Sequence, residues 1–180
     1  MRALWRRLDL PGYDAAQLCS NGAGWILTGA AAFMHETGPA GVAYLVQTDE
    51  SWRTKRGTVR GFVGDRSINF DIRRDAENWR LNGVVVPGLG HLLDLDLSFT
   101  PATNLLQLKR AAPRIGESVS LPAAWFNLND GRLTELPQIY KRLTEKTYDY
   151  AAPSVPYRAV LEVDKDGFAM SYPGLWRREG

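Results

Sequence analysis

One stretch of the chain, Arg66 to Arg74, reads RSINFDIRR and alternates apolar with polar residues. Ile68, Phe70 and Ile72 fall on one side of an extended chain, and the polar residues between them fall on the other. This alternation is typical of an antiparallel strand with one face in the core and one in water. The stretch therefore predicts a protein built mainly of β-strands.

The same period of two continues on both sides of this stretch. Each of the following runs is expected to form one strand: Gly41–Thr48, Trp52–Phe62, Gln138–Tyr150 and Tyr157–Val163. Within the first run, Val42, Tyr44 and Val46 are predicted to share the buried face. Within the second run, one face is predicted to carry Trp52, Thr54, Arg56, Thr58, Arg60 and Phe62. A short helix is expected only at Tyr13–Ser20, with Asp14 near its start.

Tight turns separate these runs. Asn82-Gly83, Asp130-Gly131 and Asp166-Gly167 pair residue types that tolerate positive φ, which favours two-residue hairpin turns. Gly57 and Gly61 lie inside a predicted strand, where glycine often marks a bend. We predict a mainly β fold, a long and strongly curved antiparallel sheet that forms a β-roll or incomplete barrel with few short helices.

Composition limits the possible classes. The 180 residues are 44% hydrophobic and 23% charged, which fits one globular domain over residues 1–180. The net charge of +2 lacks the concentrated basic stripe of a nucleic-acid-binding protein, so no nucleic acid partner is expected. No secretory signal or membrane-spanning run is recognisable, so a cytoplasmic location is expected.

The sequence contains no recognisable catalytic motif. His35 and His91 are the only histidines, and neither belongs to a metal-ligating motif. Cys19 is the only cysteine, so no intramolecular disulfide can form. We predict no catalytic residue, no metal site and no cofactor.

Two carboxyl groups lie two residues apart, at Asp94 and Asp96. On a strand they would share one face. They could hold a divalent ion or act as an acid–base pair with His91. They could equally pair with arginines of a neighbouring strand, or contact a polar ligand.

The segment that follows, Phe99–Leu105, is rich in residues that favour rigid turns. It would present Asn104 and threonine hydroxyls to a ligand, and a strand is expected to resume toward Arg110. Further on, three tyrosines share an alternate face with two basic residues. They are Tyr140, Tyr148 and Tyr150, with Arg142 and Lys146. Such a face suits a wet concave surface or the outside of the sheet.

The order of these features resembles the putative glycolipid-binding family, a former bacterial domain of unknown function. The resemblance runs from about Trp25 to Arg177 and is carried by the following residues: Tyr44, Trp52, Trp79, Asp94-Leu95-Asp96-Leu97, Thr100-Pro101-Ala102-Thr103-Asn104-Leu105, Lys109-Arg110, Gln138-Ile139-Tyr140 and Tyr172-Pro173-Gly174-Leu175-Trp176. The chain departs from the family pattern at Leu106-Gln107, where proline is common, and near His91, where a cysteine is common.

The resemblance implies a curled β-roll similar to lipoprotein carriers of the Lol type, with no catalytic residues. It implies a non-enzymatic protein that holds a lipid or glycolipid. The residues expected to contact this ligand are Trp52, Arg56, Asp94, Asp96, Thr103, Asn104, Arg110 and Tyr140. Arginine would suit an anionic head group, whereas aspartate and asparagine would suit sugar hydroxyls. The alternatives are a hydrolase or metal-assisted enzyme that uses Asp94 and Asp96, and an arginine-rich interaction module.

Overall fold

The computed structural model describes residues 1–75 and 77–180. Seventeen strands and one helix occur in these residues. The first nine strands are β1 Arg2–Arg7, β2 Gly12–Ser20, β3 Trp25–His35, β4 Gly38–Thr48, β5 Thr54–Val63, β6 Arg66–Arg74, β7 Trp79–Leu81, β8 Val84–Val86 and β9 Leu95–Leu97. The helix and the remaining strands are α1 Asn104–Ala111, β10 Ser118–Ser120, β11 Ala123–Asn127, β12 Arg132–Leu136, β13 Ile139–Arg142, β14 Thr147–Ala152, β15 Tyr157–Val163, β16 Ala169–Tyr172 and β17 Trp176–Arg178.

Fourteen strands form one antiparallel sheet in the order β10-β13-β14-β15-β16-β17-β1-β2-β3-β4-β5-β6-β7-β8. The first strand pairs with the last, with Trp5 opposite Arg178, so the two halves of the chain join in the middle of the sheet. The short strands β8 and β10 form its edges, and the sheet stays open. The prediction of a mainly β protein with a long curved antiparallel sheet is confirmed.

Alternation explains most of the long strands. In β6, Ile68 and Ile72 are buried, and in β4 Val42, Tyr44 and Val46 are buried, as predicted. The side chains on the opposite face of each strand are mostly exposed or half-buried. A period-two pattern therefore identified the inner face of the sheet correctly in these strands.

One strand changes face along its length. The strand predicted at Trp52–Phe62 begins only at Thr54. Trp52 is excluded from it because its φ of 65° is not an extended conformation. A register shift against β4 follows Thr54, after which Gly57 and Val59 point inward. The predicted common face for Trp52 through Phe62 is therefore wrong, since a bulge moves the alternation by one residue.

A second sheet of three strands, β12-β11-β9, lies across the inner face of the large sheet. Strand β9 runs parallel to β11 and places Asp96 opposite Trp125. Leu95 packs over Gly57, where an added Cβ would lie 2.3 Å from Leu95 Cδ2. The segment that begins at Asp94 is thus buried inside the curl of the large sheet.

Two predicted elements differ in type. Tyr13–Ser20 forms strand β2 and not a helix, because Asp14, Ala16 and Leu18 alternate inward and meet the core. The strand expected toward Arg110 is helix α1, which ends where Ala112 adopts a left-handed φ of 41°. The Ala112 N–H donates to the carbonyl of Leu108, which satisfies an otherwise free helix terminus.

The run Gln138–Tyr150 contains a hairpin and not one strand. The chain reverses between β13 and β14, where the Thr144 hydroxyl accepts hydrogen bonds from the N–H groups of Lys146 and Thr147. The three tyrosines of this region are all buried, so they do not lie on the outside of the sheet. Among the described residues, no helix has the length and apolar character needed to cross a membrane.

Candidate functional site

A cavity of about 270 Å³ lies between the β9–α1 segment and the last strands of the large sheet. Its aromatic walls are Trp125, Tyr150, Tyr157, Tyr172 and Trp176. Its polar groups are Asp96, Ser98, Thr100 and Asn104. Its aliphatic lining is Leu97, Pro101, Leu136, Ala152, Val155 and Leu175. Apolar walls with a few convergent polar groups are typical of a ligand site.

The tyrosines form a packed wall. Tyr150 meets Tyr172 edge to face with 5.7 Å between ring centroids, and Tyr157 lies 5.2 Å from Tyr172. The Tyr157 hydroxyl donates to the carbonyl of Pro173 at 2.6 Å. Tyr140 stands behind Tyr150 at 4.8 Å. Each ring is held by its neighbours, so the wall offers fixed aromatic surfaces to the cavity.

Asp96 supplies the carboxyl group of the cavity. Gln138 donates from Nε2 to Asp96 Oδ2 at 2.8 Å, whereas Oδ1 accepts no hydrogen bond from any described residue. Burial raises the pKa of Asp96 to about 6, the Gln138 hydrogen bond opposes this rise, and the charge of Asp94 adds to it. The side chain is therefore a buried carboxyl with one oxygen left for another partner.

The beginning of α1 places the amide of Asn104 in the same cavity lining as Asp96. Asn104 donates from Nδ2 to the Tyr140 hydroxyl at 2.7 Å, and that hydroxyl donates to Gln107 Oε1 at 3.1 Å. The Thr103 hydroxyl accepts a bond of 3.4 Å from the N–H of Leu97. These bonds fix the helix start against β9 and β13.

Asp94 is committed to a structural ion pair. Arg110 binds it through Nε at 2.9 Å and through Nη2 at 2.6 Å. Burial raises the pKa of Asp94, and the hydrogen bond and charge of Arg110 counteract this rise. Asp94 and Asp96 thus have different partners, and only Asp96 lines the cavity.

The residues of the proposed acid–base or metal site do not assemble into one. His91 pairs with Glu135 at 3.2 Å, and both side chains are exposed. In the described part of the chain, no group of three or more His, Cys, Asp or Glu side chains is arranged to hold a metal ion.

The eight predicted contact residues divide into three groups. Asp96 and Asn104 line the cavity, and Asp94, Thr103, Arg110 and Tyr140 hold that lining in place. Two lie outside the lining: Trp52 stacks on Trp25 with 4.4 Å between centroids, and Arg56 pairs with Asp71 at 3.0 Å.

The five aromatic residues of the cavity were not among the predicted contacts: Trp125, Tyr150, Tyr157, Tyr172 and Trp176. Tyr172 and Trp176 belong to the C-terminal motif that carried the family resemblance. The aromatic density of this motif was the available signal, but strand pairing decides which of its rings point inward.

A third buried carboxyl, in addition to those of Asp96 and Asp94, lies behind the cavity wall. Asp14 accepts hydrogen bonds from Tyr44 at 2.9 Å and from Thr100 at 2.5 Å, and Thr100 itself lines the cavity. Burial raises the pKa of Asp14 to about 7, although both hydrogen bonds lower it. Gly29 makes this cluster possible, because an added Cβ would lie 2.2 Å from Tyr44 Cζ.

Comparison with known proteins places the chain in a family. The model of the family described as "Putative glycolipid-binding" matches residues 2–178. The chain belongs to this family. Its fold is similar to the crystal structure of a DUF1089 family protein from Pseudomonas aeruginosa, with a TM-score of 0.81 and 22% identity over 92% of each chain. No curated protein matches the chain. The family resemblance is thus confirmed, and the structural likeness shows a shared fold.

Proposed function

We propose that this protein binds a glycolipid and holds its sugar ring in the cavity between β9, α1 and the last strands. The observation that carries this proposal is a cavity in which fixed aromatic rings face a buried carboxyl and an amide. Aromatic rings pack against the C–H faces of sugars. Aspartate and asparagine side chains accept hydrogen bonds from hydroxyl groups. The family to which the chain belongs supports the same reading.

The size of the cavity suggests which part of a glycolipid lies inside it and which part lies outside. A volume of about 270 Å³ lies at the small end of ligand sites and suits one sugar ring better than a ring with long chains. The acyl chain would leave past the aliphatic part of the lining, where Val155 is 39% exposed. Leu175 and Leu136 would contact the first methylene groups of that chain.

One observation favours a hydrolase instead, namely the raised pKa of Asp96 in a cavity. Glycoside hydrolysis uses two carboxyl groups about 5–9.5 Å apart, one on each side of the scissile bond. Asp94, the carboxyl two residues away, is bound by Arg110 and is absent from the lining. We therefore propose binding without catalysis.

The domain, cofactor, partner and location that we propose are those of a glycolipid-binding protein. We propose that residues 1–180 act as one glycolipid-binding domain, without a cofactor or a nucleic acid partner, in the bacterial cytoplasm. The curled sheet with a ligand in its hollow would make the protein similar to lipoprotein carriers of the Lol type.

The test combines native ligands with a defined probe. Native mass spectrometry of protein purified from its own host, followed by lipid extraction, should detect a bound glycolipid. Calorimetric titration with n-octyl β-glucoside should saturate at one site. Asn104→Ala should weaken this binding about fivefold to tenfold, since one hydrogen bond contributes about 1 kcal/mol.

The control is Asn69→Ala, which removes an exposed asparagine bound to Arg60 and outside the cavity lining. It should leave the affinity unchanged. The proposal would be refuted by the absence of any bound lipid together with no saturable binding of the glucoside.

A further inference from the structure

We propose that the cavity selects uncharged sugar head groups and rejects anionic ones, a specificity set by Asp96. This inference rests on the proposed binding function and gives the class of head group that the site accepts. It also departs from the expectation, made from the arginine-rich sequence, that arginines hold an anionic head group.

The charge of the lining is the first observation. Among the described residues that line the cavity there is one charged side chain, Asp96, and no lysine, arginine or histidine. An anionic head group inside would meet a carboxylate and no cation. Both charges would lie in a poorly solvated space, where repulsion between like charges is much stronger than in water.

The arginines near this region are already engaged. Arg110 binds Asp94 through two nitrogens. Arg7 lies over the ring of Trp176, with its guanidinium carbon 5.1 Å from the centroid, but it binds Asp9 through Nε at 3.0 Å and Nη2 at 2.6 Å. Each would have to leave a carboxylate partner before it could serve a ligand.

The free oxygen of the carboxyl group is the second observation. Asp96 Oδ1 accepts no hydrogen bond from the described residues, although the side chain is buried and lines the cavity. This oxygen is not among the fully enclosed side-chain atoms without a partner in the described residues, which are Gln107 Nε2, Gln138 Oε1 and Arg178 Nε, so it opens into the cavity and is accessible to a donor there. A sugar hydroxyl would supply the missing donor, whereas an anionic oxygen has no hydrogen to give.

The aromatic walls favour the same class of ligand. The faces of aromatic rings carry partial negative charge, which attracts C–H groups and cations and disfavours anions. The Tyr157 hydroxyl, which could donate to an anion, is bound to the carbonyl of Pro173. The aromatic walls and the carboxyl group of Asp96 therefore both disfavour an anionic head group.

The test compares two probes of the same alkyl chain, n-octyl β-glucoside and n-octyl β-glucuronide, by calorimetry at about pH 8. The wild-type protein should bind the glucuronide at least about tenfold more weakly than the glucoside. Asp96→Asn keeps the shape and removes the charge, so the ratio should fall to about twofold. Asp149→Asn, at a carboxyl paired with Arg158 outside the lining, should keep the wild-type ratio.

A second measurement serves if Asp96→Asn does not fold. At about pH 5 the carboxyl of Asp96 should be protonated, so the wild-type ratio should shrink while the glucuronide stays anionic. The other titratable groups that face Asp96 are Asp94, paired with its arginine, and three tyrosines whose pKa values lie above the usual range through burial. They are Tyr140, Tyr150 and Tyr172. These tyrosines stay neutral at both pH values.

The outcomes separate the two proposals. Equal binding of both probes by the wild-type protein would overturn the selectivity and leave the binding function standing. A ratio that Asp96→Asn or low pH does not change would overturn the assignment to Asp96. Failure of both probes to bind would overturn the selectivity, and if the native protein also held no lipid it would overturn the binding function as well.

Discussion

Replacement of Asp14 by asparagine should remove the fall in the free energy of unfolding with rising pH that this buried carboxyl causes. Asp14 is buried and accepts hydrogen bonds only from the hydroxyls of Tyr44 and Thr100 among the described residues. Loss of hydration raises its pKa from 3.8 to about 7, more than the two hydrogen bonds lower it. The folded protein therefore holds a proton that the unfolded chain releases.

The sign and size of the effect follow from linkage. The folded-state pKa is raised, so the stabilising contribution of the proton is fully present below the unfolded value of 3.8 and is lost as pH rises through about 7. Between about pH 5 and about pH 8.5 the free energy of unfolding should fall by about 3 kcal/mol from this group. Asp14→Asn should lack this fall and should equal or exceed the wild type in stability at the higher pH.

The assay is urea unfolding followed by circular dichroism at both pH values. The difference between wild type and Asp14→Asn isolates Asp14, because the other buried carboxyls titrate in both proteins. Asp149→Asn is the control. Arg158 pairs with this surface carboxyl and lowers its pKa, so its effect should appear only at lower pH and stay within about 1 kcal/mol. If the wild-type stability held level or rose with pH relative to Asp14→Asn, a protonated carboxyl at this position would be refuted.

Three further substitutions test the packing, each measured by the free energy of unfolding in urea. Gly29→Ala should destabilise by about 1–3 kcal/mol, since its Cβ would lie 2.2 Å from Tyr44 Cζ, and no change would contradict this packing. Arg110→Ala should lose about 3–5 kcal/mol by leaving Asp94 as an unpaired buried charge, whereas a loss below about 1 kcal/mol would rule out a desolvated pair. Gly83→Ala should lose only about 1–2 kcal/mol, because its φ of 82° strains an L-residue while an added Cβ would meet no atom within 4 Å; a larger loss would indicate an unseen contact.

The fold class could be predicted from the sequence because the pattern that determines it involves only neighbouring residues. Alternation in β4 and β6 needs only neighbouring residues, and it identified their inner faces correctly. The turn at Asn82-Gly83 was also predicted correctly, because positive φ at both residues is a property of those residue types.

Prediction failed where a distant partner decides the structure. In Tyr13–Ser20 an aspartate near the start favoured a helix, but Asp14 faces inward to meet Tyr44, thirty residues away. The bulge that turns Arg56 away from the predicted face arises from pairing between β4 and β5. Neither partner can be identified from the local sequence pattern.

The same difference between local patterns and distant partners applies to the residues that line the cavity. Asp96 and Asn104 stand out in the sequence because polar residues are dense around them, and both do line the cavity. Trp125 reaches it through the parallel pairing of β11 with β9, and Trp176 through the pairing of β17 with β1. These pairings join distant parts of the chain, so the walls of the site could not be predicted from local patterns.

The polar side chains of the segment from Asp94 to Arg110 differ in whether another residue of the protein supplies their hydrogen-bond partner. Burial of a polar group is unfavourable unless a partner compensates it. Asp94 has Arg110, and the Asn104 amide has the Tyr140 hydroxyl, so the fold explains both. Asp96 keeps an oxygen without a donor among the described residues, in a space lined by aromatic rings. That oxygen opens into the cavity, unlike Gln107 Nε2 and Gln138 Oε1, which are enclosed and have no hydrogen-bond partner among the described residues. In the binding function proposed above, a hydroxyl of the sugar donates to this oxygen.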